Sequence, residues 1–218
     1  MSATTRGAQV DALSRQGLLV TTRWTLGGNN EGAVMRSVPE WAQRSRASWR
    51  YSGQERPAFA VEPGPGQESV WDYPRPPRLD ADRREVVVRI GTHEIARSTR
   101  TVRLLETASP PTFYLPPADV RMECLERGTG GSRCEWKGDA SYWSVSVPDG
   151  RVDGAAWRYA NPLPGYEGIR GYLSFYPALV ECTVDAMPVV AQPGRFYGGW
   201  VTAELVGPFK GEPGSGSW

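Results

Sequence analysis

The block Cys134-Glu135-Trp136-Lys137-Gly138, followed by Tyr142 and Trp143, carries the most varied chemistry in this chain. A lysine between a tryptophan and a turn glycine can fold back over an aromatic face, and desolvation there lowers its pKa towards that of a base or an amine nucleophile. The competing reading is a solvated turn lysine. Cys134 becomes a thiolate nucleophile only if a cation such as Lys137 lowers its pKa, and no histidine is placed to act as its base. Glu106, which ends VRLLE, and Asp119, which follows LPPA, are carboxyls beside apolar segments. They are either acid/base groups at a pocket mouth or turn caps and arginine partners. Tyr114, Tyr142, Tyr159, Tyr172 and Tyr176 offer phenols that can bond a polar ligand while their rings wall it in. Together these residues nominate Glu106, Lys137 and Tyr142 as the acid/base set, and Tyr114, Trp136, Trp143, Trp157, Tyr159 and Tyr176 as ligand contacts.

Placing such groups together needs strands. Nine tryptophans and nine tyrosines accompany 25 glycines and 19 prolines, a balance that forbids long helices and demands many turns. The rings suit strands as well as pockets and interfaces. EVVVRIGTHEIARSTRTVRLLET reads as a meander of three short strands with a first turn at Gly91 and Thr92. ESVWDYPRPPRL suits an extended segment along an edge. Residues 118–125 form a strand, or one helical turn passing into a strand. A hairpin of 132–136 with 140–147 is expected to turn at Lys137, Gly138 and Asp139, and further strands fall at 155–159 and 172–176. A short helix is expected near 166–168, and ECTVDAMPVV suggests a hairpin of 182–184 with 189–191. In TFYLPP and SFYP strand alternation sends the neighbouring aromatics to opposite faces, one to the core and one to a cavity or solvent.

Upstream, only two short apolar patches stand out, at 18–22 and 38–41. SVPEWAQ carries a helix start with Ser37 as cap and Glu40 at the third helical position. The organisation expected is an N-terminal arm over 1–67, ending in the linker-like AFAVEPGPGQ, a β domain over 68–179, and a C-terminal hairpin and Gly/aromatic tail over 180–218 packed on that domain.

Composition excludes several partners. With 25 Lys and Arg against 24 Asp and Glu, the chain has no field to attract nucleic acid or an anionic membrane. No apolar run reaches the roughly 18 residues of a membrane span. No apolar segment with a cleavage site opens the sequence, so a cytoplasmic location is expected. Three scattered cysteines, Cys124, Cys134 and Cys182, fit reduced thiols. One histidine and no CxxC pair give no zinc site, and His93, beside the turn at Gly91, reads as a solvated turn residue. No cofactor is called for.

The blocks ESVWDYPRPP, LLET, PPTFYLPPADVRMECL, CEWKGDASYW, AAWRYANPLP and GYLSFYP, in this order and spacing, resemble the DUF427 family in the long form found in actinobacteria. The likeness covers 68–176, and the closing FYGGW and VGPFKG also resemble that long form. The resemblance implies a fold of the Mss4-like, or β-tent, group, in which small sheets meet at an angle around an opening. The zinc knuckles of some members of that group are missing here. The family also bears a nucleotidyltransferase-like label, yet there is no GxxxxGK[ST] loop and no carboxylate pair spaced for two metals. The function expected is binding of a small organic molecule in an aromatic-lined pocket, with hydrolysis, elimination, isomerisation or cyclisation as the candidate reactions. The rivals are a protein- or peptide-binding module with an exposed aromatic patch, and nucleotidyl transfer. A homodimer is compatible with every one of these.

Overall fold

A computed structural model describes residues 37–194 and 196–218; the apolar patch at 18–22 lies outside them. The described residues open with helix α1 (Glu40–Arg46) and then form fifteen short strands. They are β1 (Glu68–Ser69), β2 (Arg78–Asp82), β3 (Val86–Ile90), β4 (His93–Ser98), β5 (Thr101–Glu106), β6 (Ser109–Tyr114), β7 (Leu125–Cys134), β8 (Gly138–Val147), β9 (Gly150–Arg158), β10 (Leu173–Phe175), β11 (Glu181–Val184), β12 (Met187–Pro188), β13 (Val190–Ala191), β14 (Trp200–Val201) and β15 (Leu205–Val206). A three-stranded sheet is ordered β2-β5-β6, two four-stranded sheets are ordered β10-β9-β8-β7 and β12-β11-β3-β4, and β1-β15 and β13-β14 make ribbons. All pairings are antiparallel except β1 with β15. The protein is mainly β, built from several small sheets.

Local sequence explains most strands, while pairing often departs from chain order. β3 and β4 form the expected hairpin about Gly91, whose φ of 55° suits glycine. The third run, β5, does not continue that meander. It leaves to pair with β2 and β6, and β3 takes β11 as its other neighbour. The expected partner of β11 is also corrected. Asp185 and Ala186 both have positive φ and close a tight two-residue turn, so β11 pairs with β12, and Val190–Ala191 pairs with Trp200–Val201 instead. Ser37 does not cap α1. Pro39, with its preset φ, is the N-cap and Glu40 the first helical residue. Near 166–168 the helix is a 3₁₀ turn, Glu167–Ile169, and 118–125 is two 3₁₀ turns leading into β7.

Alternation along β6 and β10 sorts the aromatics as their sequence suggests. Phe113 and Phe175 enter the main core with Val88, Ile95, Leu173 and Trp200, while Tyr114 and Tyr176 face a second cluster with Trp136, Trp157 and Tyr159. A third cluster joins Val70, Trp71 and Leu105 to Tyr51, Phe209 and Trp218. Trp71 is fully buried, so ESVWDYP contributes to the core rather than merely lying along an edge.

Candidate functional site

The second aromatic cluster surrounds a cavity of about 240 Å³. Four sheet segments supply its inner wall. β5 ends in Glu106 and β6 brings Tyr114. The β7–β8 turn brings Cys134, Trp136 and Lys137, and β9 and its exit bring Trp157 and Tyr159. Tyr176, just after β10, closes the side against Trp157, with ring centroids 4.3 Å apart. All these residues were nominated from sequence. Two of them hold unanswered donors. Tyr114 Oη and Trp136 Nε1 are buried with no hydrogen-bond partner among the described residues, an arrangement that costs free energy unless something polar meets them.

The outer wall comes from Trp49 and from Gln192, Gly198, Gly199 and Lys210, with Arg75 behind it. Trp49 donates its indole N–H to Glu135 at 2.8 Å and lies under both the Arg75 guanidinium, at 4.5 Å, and the Lys210 amine, at 3.3 Å from the ring centroid. Arg75 is almost wholly buried. It contacts the Glu106 carboxylate at 3.2 Å and donates to the main-chain oxygens of Tyr51 and Thr107 at 2.9 Å each. Lys210 is placed by its backbone: its N–H donates to Ala108, two residues after Glu106, at 2.7 Å, and its carbonyl accepts from Gln192 Nε2 at 2.8 Å. Gln192 also accepts from the Gly199 N–H at 3.0 Å. It thereby ties Lys210 to the Gly198-Gly199 strap, which runs so close to Trp157 that a Cβ on Gly198 would lie 2.3 Å from the ring.

The two lysines are tuned in opposite directions. Burial disfavours the Lys137 ammonium, but Cys134, Tyr114, Tyr159 and Glu106 around it outweigh that and hold its pKa well above the ordinary value. Lys137 is therefore a fixed ammonium, with its Nζ 5.7 Å from the Tyr159 ring centre. This corrects the expected lowering, while the aromatic face that Lys137 meets is that of Tyr159; the turn occupies 135–137, two residues earlier than expected, and it is Arg46 that covers Trp136, at 4.8 Å. Lys210 is the amine whose pKa falls, to about 8. Burial is the main cause, assisted by Arg75 and opposed by Glu106 and Glu135.

Other nominated groups lie elsewhere. Tyr142 and Trp143 pair across β8–β9 with Trp157 and Ala156, and neither lines the cavity. Tyr142 faces a wider depression of about 900 Å³ on the other side of Tyr176, and Trp143 packs under the Arg158 guanidinium at 4.7 Å. Tyr172 packs against the second cluster without lining the cavity. Asp119 is a structural acid: it accepts from Arg100 at 2.6 Å and from Ser98 at 2.7 Å, and Arg100 holds its pKa down. His93 is paired with Asp149 at 2.8 Å, not freely solvated. Cys182 is buried in the main core, where burial raises its thiol pKa.

Sequence reasoning missed Trp49, Arg75, Gln192 and Lys210. A compositional signal for Lys210 was in plain view: the chain has 23 arginines and only two lysines, Lys137 and Lys210. Both are buried, at 8% and 4% exposure, and both line this cavity.

Among the described residues no three His, Cys, Asp or Glu side chains gather closely enough to hold a metal ion, and no helix there is long and apolar enough to cross a membrane. No curated protein matches the chain. A family model described as a domain of unknown function, DUF427, matches residues 78–186, half of the sequence. This span holds Glu106, Tyr114, Lys137, Trp157 and Tyr159, and leaves Trp49, Arg75 and Lys210 to the flanking segments. The chain belongs to the DUF427 family.

Proposed function

We propose that the cavity binds a small organic molecule carrying a negative charge and performs acid/base chemistry on it. The observation that carries this reading is the meeting of Lys137, Lys210 and Glu106 with the unpartnered donors of Tyr114 and Trp136 around one cavity of about 240 Å³. Buried ionisable groups with displaced pKa values cluster where function needs them, and the volume suits a metabolite of a few heavy atoms rather than a nucleotide. Lys137 takes the role of anion anchor, Tyr114 and Trp136 donate to the ligand's polar atoms, and Glu106, oriented by Arg75, moves the proton. Tyr142 leaves the acid/base set.

The same reading includes a β-tent arrangement of the sheets around the opening and a reducing, intracellular setting, supported by three unpaired cysteines. The burial of Trp136 at 3% exposure speaks for a cavity over an aromatic docking patch. The lack of a carboxylate cluster among the described residues speaks against nucleotidyl transfer.

The test is a thermal-shift panel of small carboxylates beside their amides. Carboxylates should raise Tm, the amides should not, and Lys137→Met should remove the difference. Equal shifts from both sets, or none from either, would end the reading.

A further inference from the structure

We propose that Lys210 is an imine-forming amine, and that the ligand of this cavity is a small aldehyde or ketone carrying a carboxylate. The inference rests on the cavity reading above and adds a covalent step to it.

Lysines belong on surfaces and are almost never buried unless paired. Here the chain's only two lysines are both buried, and neither lies within salt-bridge distance of an Asp or Glu carboxylate among the described residues. Most of the arginines, in contrast, are paired. Two buried amines line one small cavity, one a fixed ammonium and the other sharing the Trp49 ring with the Arg75 guanidinium, and burial next to a second cation eases an amine towards its neutral, nucleophilic form. The pKa of Lys210, near 8, agrees with this. Its Nζ has one polar partner, the main-chain oxygen of Trp218 at 3.1 Å, and its backbone is bonded to Ala108 and Gln192. The amine is thus presented by a rigid mount.

The step balances within the site and solvent. The Lys210 lone pair attacks the carbonyl carbon, a C–N bond forms, and the C=O π pair moves to oxygen. Glu106 carries one proton from nitrogen to that oxygen, giving the carbinolamine. A second proton, from solvent through Glu106, turns the hydroxyl into departing water and leaves the iminium. The Lys137 ammonium holds the ligand's carboxylate throughout.

The experiment treats the full chain with glyoxylate and cyanoborohydride, which reduces an iminium to a stable secondary amine, and then maps the adduct by peptide mass spectrometry. Glycolate, which has the carboxylate and no carbonyl, is run alongside in a thermal-shift assay. The adduct is expected on Lys210 in the folded protein. Lys210→Arg should lose it, and Lys137→Met should need about tenfold more glyoxylate. Urea-unfolded protein serves as the reference for unselective labelling, so the wild-type map decides even if a variant misfolds. Labelling no more selective than in urea, or confined to Lys137 or the α-amine, overturns the proposal. Stabilisation by glycolate and glyoxylate without an adduct also overturns it and leaves the anion-binding cavity standing. No stabilisation and no adduct overturns both.

Discussion

At the scale of single residues the most informative contrast is between the two lysines. Both are buried in one cavity, yet Lys137 is surrounded by groups that favour its charge, whereas burial and the Arg75 cation work against that of Lys210. The difference has a thermodynamic signature. In the unfolded chain Lys210 keeps its proton to about pH 10.5, and in the folded chain it releases it near pH 8. Between these values the unfolded state binds the additional proton, so stability rises with pH; below pH 8 both states are protonated and the cost of burial is fully expressed. Lys210→Met should remove this rise, worth about 3 kcal/mol across the window. The raised Cys182 thiol and buried tyrosines pull the other way at the alkaline end, so the decisive quantity is wild type minus variant in urea melts from pH 7 to 10. A difference that does not change with pH would mean that Lys210 titrates normally. Arg75→Ala tests the neighbouring pair. It leaves Glu106 and two main-chain oxygens without their donor and should cost about 3–5 kcal/mol in the same melts.

At the scale of elements, what the sequence made legible was local. The hairpin at Gly91, the β7–β8 hairpin and the opposite facing of Phe113 and Tyr114, and of Phe175 and Tyr176, follow from turn residues and a period of two. The pairing of β5 with β2, and of β13 with β14, did not follow, because partner choice depends on strands far along the chain. The β7–β8 turn shows how a local device sets the site. Gly138 has φ 94°, and a Cβ there would meet Leu163 Cγ at 3.2 Å, while the Leu163 N–H holds the Lys137 carbonyl at 3.0 Å. Gly138→Ala should lose about 1–2 kcal/mol of stability from backbone strain alone. It should also weaken carboxylate binding, because Lys137 moves with the turn. Unchanged stability together with unchanged binding would show that the turn has no part in placing Lys137.

At the scale of the whole molecule, the family domain supplies most of the cavity and the flanking segments close it. Glu106, Tyr114 and Lys137 lie within residues 78–186, whereas Trp49 and Lys210 approach from either end. Nothing local to either segment signals this meeting. A tryptophan in an aperiodic arm acquires its role only when a lysine some 160 positions later is packed on its face. If the two arms act as one structure, their contributions are coupled. Trp49→Ala removes a ring contact to Lys210, another to Arg75 and a hydrogen bond to Glu135, and should cost about 2–3 kcal/mol. In a double-mutant cycle with Lys210→Met, the coupling should be about 0.5–2 kcal/mol, the worth of a cation on an indole face. Trp49→Ala should also admit water and return the Lys210 pKa from about 8 towards 10.5. The shift is readable as a lower rate of amine acylation at pH 8, because a protonated lysine is no nucleophile. Effects that add within about 0.3–0.5 kcal/mol, with the acylation rate unchanged, would mean that each arm docks on the domain by itself and that the outer wall of the cavity is not a shared construction.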